Sequence, residues 1–299
     1  MRRFILSWGA LAVTVFVWGS YLVSTRAAMT QQLSPIDMGV LRSVPAAIAV
    51  LPFILKRGIK PKSANWLDIL VIGGGGGTLF TLLLASGYQY APTVDGGLFT
   101  PSMLPVFVAA LSLIFLGRAY AGIQYAGIAL ILIGALAVGG FEAVLNTASG
   151  SWRGHLLFLT GSCCWAAYTV RFNVSALDPI DGAVVILGWS SLAFLTAIAF
   201  FGTGLFSVPA SILAIQVFQG FMAGFVANFT FLYAIRTLGS AIPAAAAALV
   251  PVIAAIGGWV FLDEPISAFK WLGILIVAAG VALASGVIET RRTRKAEAS

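Results

Sequence analysis

The chain has 299 residues, of which 60% are hydrophobic and 9% are charged, and its mean hydropathy is +1.01. Soluble domains contain roughly 45–50% apolar and about 25% charged residues, so the composition excludes a water-soluble fold. The net charge of +7 is not gathered into a basic patch interleaved with aromatic residues, so nucleic acid is not an expected partner.

Ten apolar runs alternate with short polar connections along the chain. They cover residues 4–25, 36–55, 67–86, 96–116, 121–141, 156–172, 182–201, 212–235, 241–262 and 269–288. A helix crosses a hydrocarbon core of about 30 Å with roughly 20 apolar residues. The ten runs use nearly the whole chain, and we expect an all-α membrane protein with ten transmembrane helices and no soluble domain.

The second half of the chain repeats the landmarks of the first. Pro105, Phe115-Leu116, Gly127 and Gly134 recur as Pro251, Phe261-Leu262, Gly273 and Gly280, and Trp18-Gly-Ser-Tyr21 recurs as Trp165-Ala-Ala-Tyr168. Self-similarity at a fixed offset is the signature of an internal repeat. We therefore expect two five-helix repeats, residues 1–150 and 151–299.

The basic residues predict the orientation of the chain in the membrane. With a cytoplasmic amino terminus, thirteen lysines and arginines fall on the cytoplasmic side, and only Arg26, Arg153 and Lys270 fall outside. The thirteen are Arg2, Arg3, Lys56, Arg57, Lys60, Lys62, Arg118, Arg171, Arg236, Arg291, Arg292, Arg294 and Lys295. This bias predicts that both termini are cytoplasmic. Because each repeat has five spans, an odd number, the second repeat is expected to be inverted, a layout that favours a transporter.

Aromatic residues form a stripe in the first span and another in the sixth. Thr14, Trp18, Tyr21 and Thr25 recur at helical spacing, and Trp165, Tyr168 and Phe172 do the same in the second repeat. The pseudo-symmetry predicts that the two stripes face each other. Such walls stack on planar ligands or bind cations through ring faces. The alternatives are helix packing and an interfacial belt.

Arg42 is the only charge that lies well inside a span. Hydrocarbon offers a charge no partner, so an interior arginine indicates a function. One hypothesis is that Arg42 faces a central cavity and attracts a substrate carboxylate. The alternative is structural: Arg42 pairs with Asp37 or Asp95, or caps backbone carbonyls.

Glycine and proline mark places where helices bend. The third span opens with Gly73 to Gly77, which predicts close packing and a hinge at Gly75, with Thr78 beside it. No Lys-Ser/Thr follows these glycines, so a phosphate-binding loop is not indicated. Pro101 and Pro105 in the fourth span, with Pro243 and Pro251 in the ninth, predict paired kinks that either gate the pathway or are static.

Two further polar residues stand out in the second repeat. Asn228 in the eighth span either contacts a substrate amino or carboxyl group or bonds across helices. His155, at the external end of the sixth span, is either an interface residue or a proton relay. The substrate site predicted from the sequence comprises Trp18, Tyr21, Arg42, Thr78, Pro101, Trp165, Tyr168 and Asn228, with hinges at Gly75, Pro101, Pro105, Pro243 and Pro251.

The Trp-x-x-Tyr pairs, Arg42 and the proline and glycine pattern resemble the drug/metabolite transporter superfamily, specifically its ten-helix EamA-type exporters. An acidic residue that this family often carries after the fourth and ninth spans is present as Asp263-Glu264, whereas the first repeat has Gly117-Arg118. The aromatic interior most resembles bacterial aromatic amino acid exporters. The resemblance implies a bacterial inner-membrane exporter whose partners are the lipid bilayer and a small-molecule substrate.

The sequence also narrows the mechanism. Small multidrug members of the superfamily use a glutamate embedded in the first helix, and here every acidic residue lies at a span end, in a loop or in a tail. Facilitated export without proton coupling is therefore expected, by an alternating-access monomer, with a dimer as the alternative. No catalytic, metal or cofactor motif is present, so neither an enzyme nor a cofactor is predicted. Export of cationic drugs or of other amino acids, nucleotide-sugar exchange, and a channel or scaffold are the alternatives.

Overall fold

The computed structural model describes residues 2–31, 33–145 and 150–284, and their regular elements are all helices. The first half contains α1 (Arg2–Met29), α2 (Pro35–Arg57), α3 (Trp66–Asp68), a π-helix (Ile69–Thr78), α4 (Leu79–Gly87), α5 (Thr93–Phe99), α6 (Leu104–Leu116) and α7 (Gly122–Leu145). The second half contains α8 (Ser151–Val174), α9 (Pro179–Phe201), a 3₁₀ turn (Leu205–Ser207), α10 (Ala210–Phe221), a second π-helix (Met222–Ala227), α11 (Asn228–Leu238), α12 (Ala241–Ala247), α13 (Val250–Leu262) and α14 (Ala268–Ala284).

Seven helical segments of the described residues are long and apolar enough to cross a membrane. They are Ile5–Met29, Pro35–Arg57, Trp66–Gly87, Thr93–Leu116, Pro179–Phe201, Ala210–Leu238 and Ala241–Leu262. A multi-pass membrane protein is thereby confirmed. The described apolar parts of the fifth and tenth predicted spans are shorter, and α8 is longer but more polar. The end of the run 269–288 and the basic carboxyl-terminal tail lie outside the described residues, so ten crossings stays a prediction.

α2 and α9 both begin with the sequence Pro-Ile-Asp, and each is preceded by a capping residue. Ser34 caps α2: its hydroxyl accepts the Asp37 N–H at 3.1 Å, and the Asp37 carboxylate accepts the Ser34 N–H at 3.0 Å. Asp178 caps α9 by accepting the Asp181 N–H at 2.7 Å. A proline follows each cap, where its missing N–H costs nothing. The repeated Pro-Ile-Asp sequence is therefore a helix start in both halves.

The fourth and ninth predicted spans are each broken into two helices. α5 and α6 are separated by a turn that contains Pro101, and α12 and α13 are separated by a shorter turn. Pro105 and Pro251 are the second residues of the helices that follow these breaks, and Pro243 is the third residue of α12. The prediction of kinks inside continuous helices is corrected: the prolines lie at breaks, where no helical hydrogen bond is lost.

The packing of the helices obeys a pseudo-two-fold relation between the halves. α1 packs on α13 and α11, and correspondingly α8 packs on α6 and α4. The first π-helix packs on α9, as α10 packs on α2. The pairs α2 with α9 and α7 with α14 join each helix to its own counterpart, and α5 packs on α13 as α12 packs on α6. Each half therefore completes the core of the other.

The repeated glycines near the end of each half allow α7 and α14 to touch through their backbones. A Cβ atom at Gly127 would lie 2.4 Å from the Ala284 nitrogen, and one at Gly280 would lie 2.7 Å from the Gly127 oxygen. Such distances admit only glycine. Close packing of α7 on α14 therefore explains why glycines recur at these positions in both halves.

Gly75, the predicted hinge, lies in the first π-helix against α8. A Cβ atom there would lie 2.6 Å from the carbonyl oxygen of Cys164, whereas a Cβ atom at the neighbouring Gly74 would meet nothing within 4 Å. Close approach of two backbones therefore explains the glycine at position 75, and its role as a hinge stays a prediction.

These two glycines give a matched test of the packing. Alanine favours a helix over glycine by up to about 1 kcal/mol, and overpacking costs about 1–3 kcal/mol. We expect Gly75→Ala to lower the thermal unfolding midpoint of the detergent-purified protein by several degrees, and Gly74→Ala to leave it unchanged or raise it. Equal midpoints for the two variants would show that the contact with Cys164 is not tight.

Candidate functional site

A central cavity lies between the two halves, with an empty volume of about 380 Å³. The walls come from α1, α2, the first π-helix, α4, the break after α5, α8, α11 and α13. The lining residues are Trp18, Tyr21, Leu22, Arg42, Gly76, Phe80, Leu84, Thr100, Pro101, Trp165, Tyr168, Asn228 and Val250.

Most of the substrate-site residues predicted from the sequence lie on this wall. Seven of the eight do so: Trp18, Tyr21, Arg42, Pro101, Trp165, Tyr168 and Asn228. Thr78 does not, because it is half-buried against α9, where its hydroxyl lies 3.3 Å from the Ser190 hydroxyl. Gly75, Pro105, Pro243 and Pro251 are also outside the lining. Substrate contact by any of these residues stays a prediction.

The aromatic stripes of the first and sixth spans meet across the cavity. The rings of Trp18 and Trp165 are edge to face with centroids 4.8 Å apart, and Phe80 packs on Trp165 at 5.4 Å. Such edge-to-face pairs hold the rings in fixed orientations. Phe172, the third member of the second stripe, lies outside the lining and packs instead against the Arg236 guanidinium at 4.2 Å.

Arg42 is buried in the cavity wall with 5% of its surface exposed. Its guanidinium carbon lies 5.1 Å from the ring centroids of both Tyr21 and Phe80. Within the described part of the chain it makes no hydrogen bond or ion pair. A buried charge without a partner costs several kcal/mol, which the two ring faces offset only in part.

The predicted structural partners of Arg42 are bound elsewhere. Asp37 accepts hydrogen bonds at the start of α2 and from the turn after α9. Asp95 is paired with His155 and Lys270. The alternative that Arg42 pairs with Asp37 or Asp95 is therefore wrong, and the guanidinium group remains available to a ligand.

Several other polar groups of the lining also lack a hydrogen bond. The hydroxyl groups of Tyr21 and Thr100 are buried without a partner. The Tyr168 hydroxyl lies near the Trp165 indole N–H, but neither group makes a hydrogen bond of regular geometry. Buried polar groups in proteins are normally satisfied, so these groups of the lining can still form hydrogen bonds with a ligand.

The remaining polar side chains of the lining are bound to the second π-helix. The Trp18 indole N–H lies 3.4 Å from the Ala223 carbonyl, and the Asn228 amide donates to the Gly224 carbonyl at 2.9 Å. The Asn228 amide oxygen is left facing the site as an acceptor. The sequence alternative that Asn228 bonds across helices is not what the structure shows, since Gly224 is one turn away on the same segment.

A family model described as the EamA-like transporter family matches residues 6–140 and again residues 152–286. The chain belongs to this family. The two matches coincide with the two repeats read from the sequence. EamA proteins are transporters, and the expectation of a non-enzyme is confirmed on that ground.

Individual relatives align with this EamA protein over nearly the whole of both chains. The uncharacterized inner membrane transporter YedA of Escherichia coli is 27% identical, over 94% of this chain and 91% of that protein. A probable terminal-alkyne amino-acid exporter of Streptantibioticus cattleyicolor is 25% identical, over 97% and 96%. A crystal structure with 17% identity superposes with a TM-score of 0.64 over 92% of this chain and 98% of its own, which shows the fold alone.

Ion pairs join the two halves of this EamA protein beyond the cavity. At the end where α1 stops and α2 starts, the Arg26 guanidinium binds Glu264 at 3.0 Å and the Tyr88 carbonyl at 2.6 Å. Glu264 also accepts the Thr93 N–H at 3.0 Å. Glu264 is the acidic residue that the family resemblance placed after the ninth span, and the structure gives it a partner from the first half.

A second cluster at the same end is fully buried. Asp95 is 0% exposed and binds the His155 Nε2 atom at 3.0 Å and the Lys270 Nζ atom at 2.8 Å, while Phe99 stacks on the imidazole at 4.5 Å. His155 is therefore buried within the protein, and the Asp95 carboxylate, although it lies at the start of a span, is buried between His155 and Lys270. A role of His155 as a proton relay stays a prediction.

The opposite end of the bundle is also held by ion pairs between the halves. Arg57 binds Asp181 at 2.7 Å and Asp178 at 3.0 Å, and Arg171 binds Asp68 at 2.7 Å. The cavity therefore lies between two sets of charge pairs, each of which connects the first half to the second.

Asp95 and Asp178 allow the buried and exposed pairs to be compared. Removing one partner of a buried ion pair costs about 3–5 kcal/mol, and an exposed pair contributes about 0–1 kcal/mol. The Asp178 side chain is 50% exposed, and asparagine preserves its helix cap. We expect Asp95→Asn to lower the thermal midpoint in detergent far more than Asp178→Asn. A smaller decrease in the midpoint for Asp95→Asn than for Asp178→Asn would show that the buried cluster does not stabilise the protein more than the exposed pair.

Proposed function

We propose that this EamA protein exports small amphipathic metabolites, with aromatic amino acids as the best-supported substrates. The observation that carries the proposal is that the buried guanidinium of Arg42 has no partner among the described residues and lies in an aromatic-walled cavity. A substrate carboxylate would give this charge its counter-ion through two parallel hydrogen bonds, a geometry that arginine favours. Trp18 and Trp165 would contact the aromatic ring of the substrate.

The relatives support a transported amino acid in general terms. One relative across nearly the whole chain is named a probable amino-acid exporter. Its name refers to a terminal-alkyne amino acid. Such a compound shares with aromatic amino acids the charged amino and carboxylate groups and an unsaturated apolar side chain. An aromatic side chain is proposed for this protein because its cavity is walled by tryptophan, tyrosine and phenylalanine.

The transport cycle we propose is alternating access. The two repeats, residues 1–150 and 151–299, would form ten spans with inverted orientations and cytoplasmic termini in a bacterial inner membrane. The end with Arg26, Glu264 and Asp95 would then be external, and the end with Arg57 and Arg171 cytoplasmic. Rocking of one half against the other would separate one set of ion pairs while the other stays closed. The exporter would act as a monomer, with a dimer as the alternative.

The energy source we propose is the substrate gradient. The buried carboxylates that the structure describes are already bound to other groups and lie outside the cavity lining, so substrate and proton would not compete for them directly. They are Asp37, Asp68, Asp95 and Asp181. A cationic drug is a weaker candidate substrate, because the described lining contains an arginine and no acidic residue. A nucleotide sugar is weaker still, because its two phosphates call for several cations and Arg42 is the one in the lining.

Counterflow in proteoliposomes tests the substrate. Unlabelled L-phenylalanine inside the vesicles should accelerate uptake of labelled L-phenylalanine in a saturable manner. Lysine at position 42 keeps the charge but loses the paired hydrogen bonds, so Arg42→Lys should raise KM about tenfold. Arg118→Lys, at an exposed residue between α6 and α7, is the matched control. The absence of exchange for every aromatic amino acid would refute the proposal.

The inverted ten-span arrangement is tested by labelling single cysteines. In a variant whose Cys163 and Cys164 are replaced by serine, Ala119→Cys should react with a membrane-impermeant maleimide only after cell lysis. Asn146→Cys should react in intact cells, because five spans separate it from a cytoplasmic amino terminus. Protection of Asn146→Cys in intact cells would rule out the inverted repeat.

A further inference from the structure

We infer that the central cavity recognises the carboxylate of its substrate and not the amino group, so that aryl carboxylates without an amine are also substrates. The probe we have in mind is 3-phenylpropionate, which is phenylalanine without its amino group. The inference rests on the proposed function, because it concerns the same cavity. It assigns to that cavity a class of substrate defined by one negative charge and an aromatic body.

The charged residues in and around the cavity differ in whether they already have a partner. Among the lining residues that the structure describes, Arg42 is the only one with a formal charge. At the end of the bundle where α1 stops, Asp95 is occupied by two basic groups and Glu264 by Arg26. Asp37 accepts hydrogen bonds from Thr203 and Gly204, and Asp263 is exposed and lies outside the lining. A carboxylate therefore finds an ionised partner in the wall, whereas an ammonium group finds none.

The unmet hydrogen-bonding groups show the same preference. Arg42 and the Trp165 indole N–H are donors with no acceptor capacity, and the hydroxyl groups of Tyr21 and Thr100 donate as readily as they accept. The Tyr168 hydroxyl can likewise donate or accept, and the Asn228 amide oxygen only accepts, since its NH₂ group donates to Gly224. The wall therefore presents chiefly donors, which suit carboxylate oxygens.

The two rings that contact Arg42 do not compensate for the missing acceptor. An ammonium group binds to the face of an aromatic ring. The Tyr21 and Phe80 rings already carry the Arg42 guanidinium at 5.1 Å. A second cation placed there would be repelled by Arg42. The amino group of an amino acid is thus tolerated at the margin of the site and does not determine binding.

The apolar part of the lining is suited to the aryl group. Leu22, Leu84 and Val250 share the wall with Trp18 and Phe80. None of these side chains distinguishes an amino acid from its des-amino analogue. Recognition of the aryl body and of the carboxylate therefore requires no third anchor.

The experiment compares three ligands that share the phenylethyl body. Binding of L-phenylalanine, 3-phenylpropionate and phenethylamine to the detergent-purified protein is measured by calorimetry at neutral pH, and exchange is measured in proteoliposomes. Losing one or two ordinary hydrogen bonds changes affinity by about tenfold, so 3-phenylpropionate should bind within that factor of L-phenylalanine and should exchange. Phenethylamine should bind at least about 30-fold more weakly than 3-phenylpropionate.

A charge-removing variant tests the origin of this order. Arg42→Gln should weaken 3-phenylpropionate by about 30-fold or more and should weaken phenethylamine little or improve it. Arg118→Gln removes a positive charge from an exposed residue outside the cavity and should change none of the three affinities. The comparison of ligands on the unmodified protein stands even if Arg42→Gln does not fold.

The outcomes separate this inference from the proposed function. Binding and exchange of L-phenylalanine without 3-phenylpropionate would overturn the inference and leave aromatic amino acid export intact. Exchange of 3-phenylpropionate without L-phenylalanine would support the inference and overturn amino acid export. Phenethylamine binding as tightly as 3-phenylpropionate, or no binding by any of the three, would overturn the inference.

Discussion

Hydrocarbon offers no partner to a charge, and the placement of polar side chains in this protein follows from that constraint. The ion pairs at both ends of the bundle each take one residue from either half, as in Arg26 with Glu264 and Asp68 with Arg171. Neither half satisfies these groups alone. The halves are therefore held together by the contacts that, in the proposed transport cycle, separate when the cavity opens to one side.

The scaffold is symmetric, but the site is not. Trp18 and Tyr21 have counterparts in Trp165 and Tyr168, and both pairs line the cavity. Arg42 has no such counterpart, because the equivalent position in α9 is Ile186. Each half of the fold therefore contributes an aromatic pair to the cavity wall, but only the first half contributes a cation. A ligand with one charged end and one aromatic end suits this asymmetry better than a symmetric or doubly charged ligand.

A departure from ideal α-helical geometry explains why one residue of the predicted site lies outside the cavity wall. The prediction placed Thr78 on the cavity wall, yet it ends a π-helix, whose wider turns shift the direction of side chains from the 3.6-residue period. Gly76 lines the cavity instead, and Thr78 contacts Ser190. Phe80 and Thr100 were missed because aromatic and threonine side chains are common throughout apolar spans, so their identity alone carries no signal.

The sequence by itself determined the membrane class, the family, the duplicated architecture and seven residues of the cavity wall, since hydropathy and helical periodicity are local properties. Tertiary structure alone decided which charges are paired. Asp95 meets His155 across 60 positions and Lys270 across 175, and Arg26 meets Glu264 across 238. No periodicity connects residues so far apart. That Arg42 has no partner among the described residues is likewise a tertiary property, because Asp37 and Asp95 are bound elsewhere.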